Sequence, residues 1–218
     1  MTAPLRHFPD DLLRAHAIGA ASEGASLAVA CHLAFCPICA DAAAAHESVL
    51  ASLAGASPEE RPPRAVRDRL LADLPPQAPA PPPRPPLVLP TDMPELPAPL
   101  LRQLRGLPEV GWHRLVPGLR AIDLEIGSVW RARLVRFRPG IPIPVHDHGG
   151  PEHTVVFSGG LDDESGHLGR GDAATMMPGD AHRQRSSPGE PCVALIVNEA
   201  AARPLTLTGR VLKRLTRS

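Results

Sequence analysis

The sequence predicts two domains, a small all-α domain followed by an all-β barrel, and three observations carry that expectation. Apolar residues recur at helical spacing up to about residue 74, prolines then crowd one short stretch, and beyond it the apolar period drops to two. At 218 residues the chain has room for one large or two small domains.

The helical part reads as four segments. Pro9 and Asp10 open the first, running to Ala17 with Leu12, Leu13 and Ile18 on one side. Ser22 or Ser26 opens the second, which carries Leu27, Val29 and Leu33. Pro37 biases Cys36 away from helical geometry, so this helix should break near Phe35. Pro37 then suits the first turn of a third helix, Ile38 to about Ala54. Ser57 and Glu60 have the spacing of a capping box for a fourth, with Val66, Leu70 and Leu71 at helical spacing.

Pro75 to Pro86 holds eight prolines in twelve residues. Proline fixes φ and has no amide donor, so the stretch should be an extended, semi-rigid spacer. The expected division is therefore a helical domain at 1–74, a linker at 75–90 and a β domain at 91–218. In the last, Leu119 to Ile126, Trp130 to Phe137, His153 to Phe157, Ala173 to Met177 and Cys192 to Val197 read as strands between Gly, Pro and Asp turns. Many short strands without long helices argue for a sandwich or barrel.

Charge excludes some functions. Residues 1–74 hold 6 Lys+Arg against 9 Asp+Glu, and the remainder 17 against 14. Neither part carries a basic block suited to tracking phosphates, so direct nucleic-acid binding is disfavoured. The opening residues lack an apolar run of signal-peptide length, and Ala25 to Ala30 is too short to span a bilayer. The expectation is a soluble cytoplasmic chain with no membrane partner. Three of the four cysteines, Cys31, Cys36 and Cys39, lie within nine residues, which suits thiolate metal chemistry better than a disulfide framework.

Two ligand sets stand out. His32 and Cys36 are four apart, close together on a helix surface, and Cys36-x2-Cys39 wraps one turn so that both sulfurs can reach one ion. His7 would supply a fourth ligand, closing a tetrahedral Cys2His2 site around zinc with no position left for substrate. A closed site is structural, and a helical domain this poor in aromatics needs such a staple. The alternative, a redox-active dithiol, lacks its usual strand-to-helix context. Cys31 is expected to be packed, and His16 and His46 to be solvated.

The second set is His146-x-His148-x3-Glu152 with His182 downstream. Residues two apart on a strand share a face, so His146 and His148 should point together into a barrel. The Gly149-Gly150-Pro151 turn would return the chain with Glu152 inward and His153 outward. His182, after Pro178-Gly179-Asp180, would close the set from another strand. Three imidazoles and a carboxylate suit zinc, manganese, iron or nickel about equally. His113 and His167 lack partners at useful spacing, and Cys192 begins an apolar strand.

Gly140-x5-His146-x-His148-x3-Glu152-x6-Gly159 matches the first sequence motif of the cupins, whose fold is a double-stranded β-helix barrel. The second motif departs from the pattern: Pro178 and Gly179 are adjacent and the closing Asn is absent. His7, the His32-x3-Cys36-x2-Cys39 run, a proline-rich spacer and this β domain together resemble the ChrR-type anti-sigma factors, in which a zinc-containing anti-sigma domain precedes a cupin. The opening residues Leu5 to Gly24 are also similar to that family's beginning.

The resemblance implies a regulator. Its helical domain would bind a sigma factor of the extracytoplasmic-function type and keep it from RNA polymerase. Zinc would hold the helices in a competent arrangement, with Leu12, Leu13, Leu27 and Val29 as contact candidates. The cupin, with a second divalent metal, most readily zinc, would sense a small molecule or oxidant; family members are linked to oxidative or singlet-oxygen stress. The competing expectation is a metal-dependent cupin enzyme, a dioxygenase or isomerase with an appended zinc module. Oxygen chemistry there would require iron, manganese or nickel, because zinc has no redox chemistry.

Overall fold

Capping and proline geometry set the helices. The computed structural model of the chain describes residues 3–56, 61–74, 86–127, 131–201 and 203–205. Five helices occur among them: α1 (Asp10–Ala17), α2 (Glu23–Leu33), α3 (Pro37–Gly55), α4 (Arg64–Ala72) and α5 (Ala98–Leu104). Ser22 caps α2 by accepting from the Ala25 amide at 3.1 Å. Cys36 caps α3 in extended geometry, φ −116° and ψ 99°, as the following proline requires. The expected capping box at Ser57 and Glu60 lies outside the described residues, as does the proline-rich stretch except Pro86.

Helix α5 falls where the sequence has too little helical apolar period to predict it. It is short and hedged by prolines, yet Leu100 and Leu104 on it are fully buried. Each such burial contributes about 1.5–3 kcal/mol.

The strands are β1 (His113–Val116), β2 (Leu119–Leu124), β3 (Arg131–Phe137), β4 (Pro142–Asp147), β5 (Glu152–Ser158), β6 (Leu161–Asp163), β7 (Gly166–Leu168), β8 (Ala173–Met176), β9 (His182–Ser186), β10 (Cys192–Asn198) and β11 (Arg203–Pro204). They form a six-stranded sheet ordered β1-β2-β3-β10-β5-β8 and a five-stranded sheet ordered β11-β4-β9-β6-β7. Every pairing is antiparallel. Each of the five expected strands is present with its ends shifted slightly, and Trp130 lies outside the described residues.

Alternation along the large sheet divides the core in two. Cys192, Ala194, Val135, Phe137 and Val156 face the barrel interior. Val193, Leu195, Val197, Leu134, Val155 and Phe157 face outward, where they meet Phe8, Leu13, Leu27, Val29 and the leucines of α5. One apolar core therefore runs from the helical half through the outer face of the sheet. This accounts for strands that are apolar on both faces.

Burial also corrects the contact candidates. Leu13, Leu27 and Val29 belong to this core and Leu12 packs against it, so they hold the halves together. Seven of the thirteen exposed large apolar side chains among the described residues lie on two helices: Ile38, Val49, Leu50 and Leu53 on α3, and Val66, Leu70 and Leu71 on α4. No residue of α4 is buried.

The N-terminal segment is fastened to the barrel by its backbone. The Asp172 carboxylate accepts from the Leu5 amide at 2.7 Å, the Arg6 amide at 3.0 Å and the Gly169 amide at 2.7 Å. The Ala173 amide in turn donates to the Arg6 carbonyl at 3.1 Å. Gly171 precedes this junction with φ +88°, and a Cβ there would lie 3.0 Å from both Phe35 and Pro4. Replacement Asp172→Ala leaves those amides without their charged acceptor and is expected to cost about 2–3 kcal/mol. Denaturant unfolding would measure this, and amide exchange at Leu5 and Arg6 should accelerate.

Candidate metal centres

His7, His32, Cys36 and Cys39 come together, one potential ligand atom from each lying within 4.8 Å of all the others. The Nδ1 of His7 is 3.2 Å from Cys36 Sγ and 3.5 Å from Cys39 Sγ. A tetrahedral zinc ion with ordinary bond lengths puts nitrogen and sulfur ligands about 3.6 Å apart, so the spacing fits such an ion. His32 gives the sharpest test. Its Nδ1 is 2.8 Å from the Gly171 carbonyl, whereas its Nε2 is buried without a hydrogen-bond partner. A carbonyl only accepts, so Nδ1 carries the proton and Nε2 presents a lone pair.

Local structure places the sulfurs. Cys36 occupies the cap of α3 and Cys39 its first turn, so both sulfurs lie at the start of one helix. The Cys39 amide donates to Cys36 Sγ at 3.4 Å. Without a cation, burial and then the neighbouring Cys36 push the Cys39 thiol up to about 12. Burial lowers the His32 pKa. The imidazole is thus ready to ligate, and metal binding must displace the Cys39 thiol proton.

His146, His148, Glu152 and His182 form the second group, again within 4.8 Å of one another. His146 and His182 are cross-strand partners on β4 and β9. Their Nε2 atoms are 3.3 Å apart, and His148 Nε2 is 3.3 Å from that of His182. Imidazole nitrogens sharing an ion at about 2.0–2.1 Å in tetrahedral geometry lie about 3.3 Å apart. Glu152 enters from β5 in the other sheet, so the group bridges the two sheets. Burial lowers the His148 pKa, and its Nδ1 makes no hydrogen bond.

Supporting residues invisible to motif reading orient this group. His146 Nδ1 lies 3.0 Å from the Pro144 carbonyl, and His182 Nδ1 lies 3.4 Å from the Asp163 carboxylate. Asn198 donates to Glu152 Oε2. Asp163 and Asn198 sit on other strands, at no fixed spacing from the ligands.

The remaining histidines fall outside both groups. His46 meets Asp10 at 2.9 Å, His113 meets Asp123 at 3.2 Å and His167 meets Asp162 at 2.7 Å. Cys31 and Cys192 are buried thiols pushed up to about 12 by desolvation, which suits packing and not redox chemistry. His153 does face out of the barrel, but the helical half covers it: Phe8 stacks edge-on between His32, at 5.4 Å, and His153, at 6.0 Å.

The two groups predict separable stoichiometry. Cys36→Ala should lower the metal content of zinc-loaded protein by one equivalent, and His148→Ala by the other, as read by elemental analysis. Loss of both equivalents from either single variant would contradict two independent sites.

Comparison with known proteins adds to this geometry. Residues 104–202 match the ChrR cupin-like domain. The anti-sigma-E factor ChrR of Cereibacter sphaeroides is 35% identical over 198 residues, which are 90% of this chain and 91% of that one. The crystal structure of Rhodobacter sphaeroides SigE in complex with the anti-sigma ChrR matches with a TM-score of 0.71 and 30% identity, covering 88% of this chain and 98% of that one. The chain belongs to the ChrR family of anti-sigma factors.

Proposed function

We propose that this anti-sigma factor binds a sigma factor of the extracytoplasmic-function class through residues 1–74, in the cytoplasm, and keeps it from RNA polymerase. Residues 75–90 would link that domain to a sensor at 91–218. The observation that carries the binding surface is α4 with the end of α3. Val66 and Leu70 are four apart on a nine-residue helix with no buried side chain, and Val49, Leu50 and Leu53 line one side of α3. A helix that short is marginal in water without tertiary packing. An apolar face left open on it suits insertion against a partner's helices.

Zinc at His7, His32, Cys36 and Cys39 would fix α2 against the start of α3 and so set the direction in which α3 leaves the core. The softer thiolate pair favours zinc over the oxygen-seeking divalent ions. In the cupin, His146, His148, Glu152 and His182 would hold a second divalent ion, zinc in the first instance. An oxidant or small molecule that alters this group would change the packing around Glu152 and His153, on whose outer side Phe8 and the N-terminal site lie. Release of the sigma factor would follow. The ligand set by itself also suits an enzyme, but the family is one of regulators, and that favours the sensory role. Among the described residues no helix is long and apolar enough to cross a membrane.

Tagged full-length protein loaded with zinc should retain a sigma factor from the cytoplasm of its own cells. Leu50→Asp with Leu70→Asp should abolish retention while leaving metal content and thermal unfolding unchanged. Retention by the double variant would remove α3 and α4 from the interface, and failure of the wild type to retain any sigma factor would overturn the reading. Glu152→Gln should retain the sigma factor and blunt its release by peroxide or by an illuminated photosensitiser. Equal loss of binding in Glu152→Gln and Cys36→Ala would contradict separate binding and sensing halves.

A further inference from the structure

Three arginines stand in register across the first three strands of the large sheet. Arg114 on β1 is opposite Arg120 on β2, and Arg120 is opposite Arg136 on β3. Like charges directly opposite one another destabilise a sheet. The neighbouring row shows the ordinary solution: Asp123 is opposite Arg133 and the two form an ion pair. Arg138, two residues beyond Arg136, adds a fourth guanidinium at the same place.

Neutralisation of this row is incomplete. Arg136 Nε lies 3.2 Å from Asp92, whose other carboxylate oxygen accepts from the Trp112 indole at 3.0 Å. The side chains of Arg114, Arg120 and Arg138 meet no carboxylate among the described residues. About three positive charges therefore line one cavity without internal compensation.

They do so in a cleft and not on a flat face. The arginines line an open cavity of ≈ 210 Å³ together with the β1–β2 turn, Val116-Pro117-Gly118. The Arg138 amide donates to the Gly118 carbonyl at 2.8 Å and holds that turn against the end of β3. On the same outer face the row continues into Val193, which the apolar core covers. The arginines begin where that cover ends.

We propose that this cleft is an anion site for a small phosphorylated molecule of the diphosphate class. Guanidinium groups bind phosphate oxygens in a bidentate fork, and neighbouring strands present them about 4.8 Å apart. One phosphoryl group cannot reach the whole row, whereas two linked phosphoryl groups can take forks from adjacent arginines. The cavity is below the roughly 300–1,000 Å³ of sites for larger ligands, which favours a compact polyanion over an extended chain. The site lies on the β half, apart from both metal groups, and does not depend on the sigma-factor reading.

Calorimetric titration of zinc-loaded full-length protein with inorganic pyrophosphate tests this. The expected result is saturable one-site binding, at least about tenfold tighter than for sulfate, and weakened about tenfold or more by Arg120→Gln. Metal content should be the same in both proteins. Pyrophosphate should raise the unfolding midpoint of the wild type and, at the same concentration, raise that of Arg120→Gln by less. Without anion, Arg120→Gln should unfold at an equal or higher temperature, because it relieves like-charge contact. Unchanged affinity in Arg120→Gln would overturn the proposal. So would binding that survives Arg120→Gln but is lost in His148→Ala, since that places the anion at the cupin group. Tighter binding of a single-stranded oligonucleotide by the same arginines would replace the small ligand with a nucleic acid.

Discussion

An imidazole has two nitrogens, and fixing one decides what the other can do. His32 meets the Gly171 carbonyl through Nδ1, which leaves a buried lone pair on Nε2 facing His7, Cys36 and Cys39. A backbone carbonyl of the β half therefore orients one member of the candidate ligand set in the helical half. Gly171 can lie that close to Pro4 and Phe35 only because it has no side chain. The next residue, Asp172, collects the amides of Leu5 and Arg6 and so positions His7 as well. Two of the four candidate ligands in one half are thus oriented by two consecutive residues of the other.

The same junction brings the two candidate metal centres into one packed line. His32 and His153 flank Phe8, and His153 follows Glu152 in the chain. Alternation on β5 turns Glu152 into the barrel and His153 toward Phe8, so the two faces of one strand serve the two sites. Both side chains are buried, and a change at one must be accommodated by close-packed neighbours. This arrangement gives the helical half and the cupin of this anti-sigma factor a short physical connection.

Exposed chemistry is segregated. Apolar side chains without cover gather on α3 and α4, while uncompensated arginines gather at the far end of the β1–β2–β3 face. The first arrangement suits a protein partner and the second a compact anion. Near-zero net charge conceals both, because a sum over the chain carries no information about position.

Much of this was legible from residue order. Helical spacing, Pro37 and Ser22 determined α1 to α3, because caps and proline act within a few residues. The two candidate ligand groups were legible mainly because ligand chemistry favours particular side chains at short spacing, as in His146-x-His148 and Cys36-x2-Cys39, and the structure brings the distant His7 and His182 to them. Tertiary structure alone decided which apolar residues form the core: Leu27 and Leu70 occur in similar helical patterns, and only packing against the sheet buries the first. It also recruited α5, whose proline-hedged sequence has too little periodicity to announce a helix. Asp163 and Asn198 on distant strands, and Gly171 in the turn before β8, orient the candidate ligands, and the arginine row exists only through cross-strand register. Contacts between residues far apart in sequence are set by how sheets pair and halves dock, and no local pattern records them.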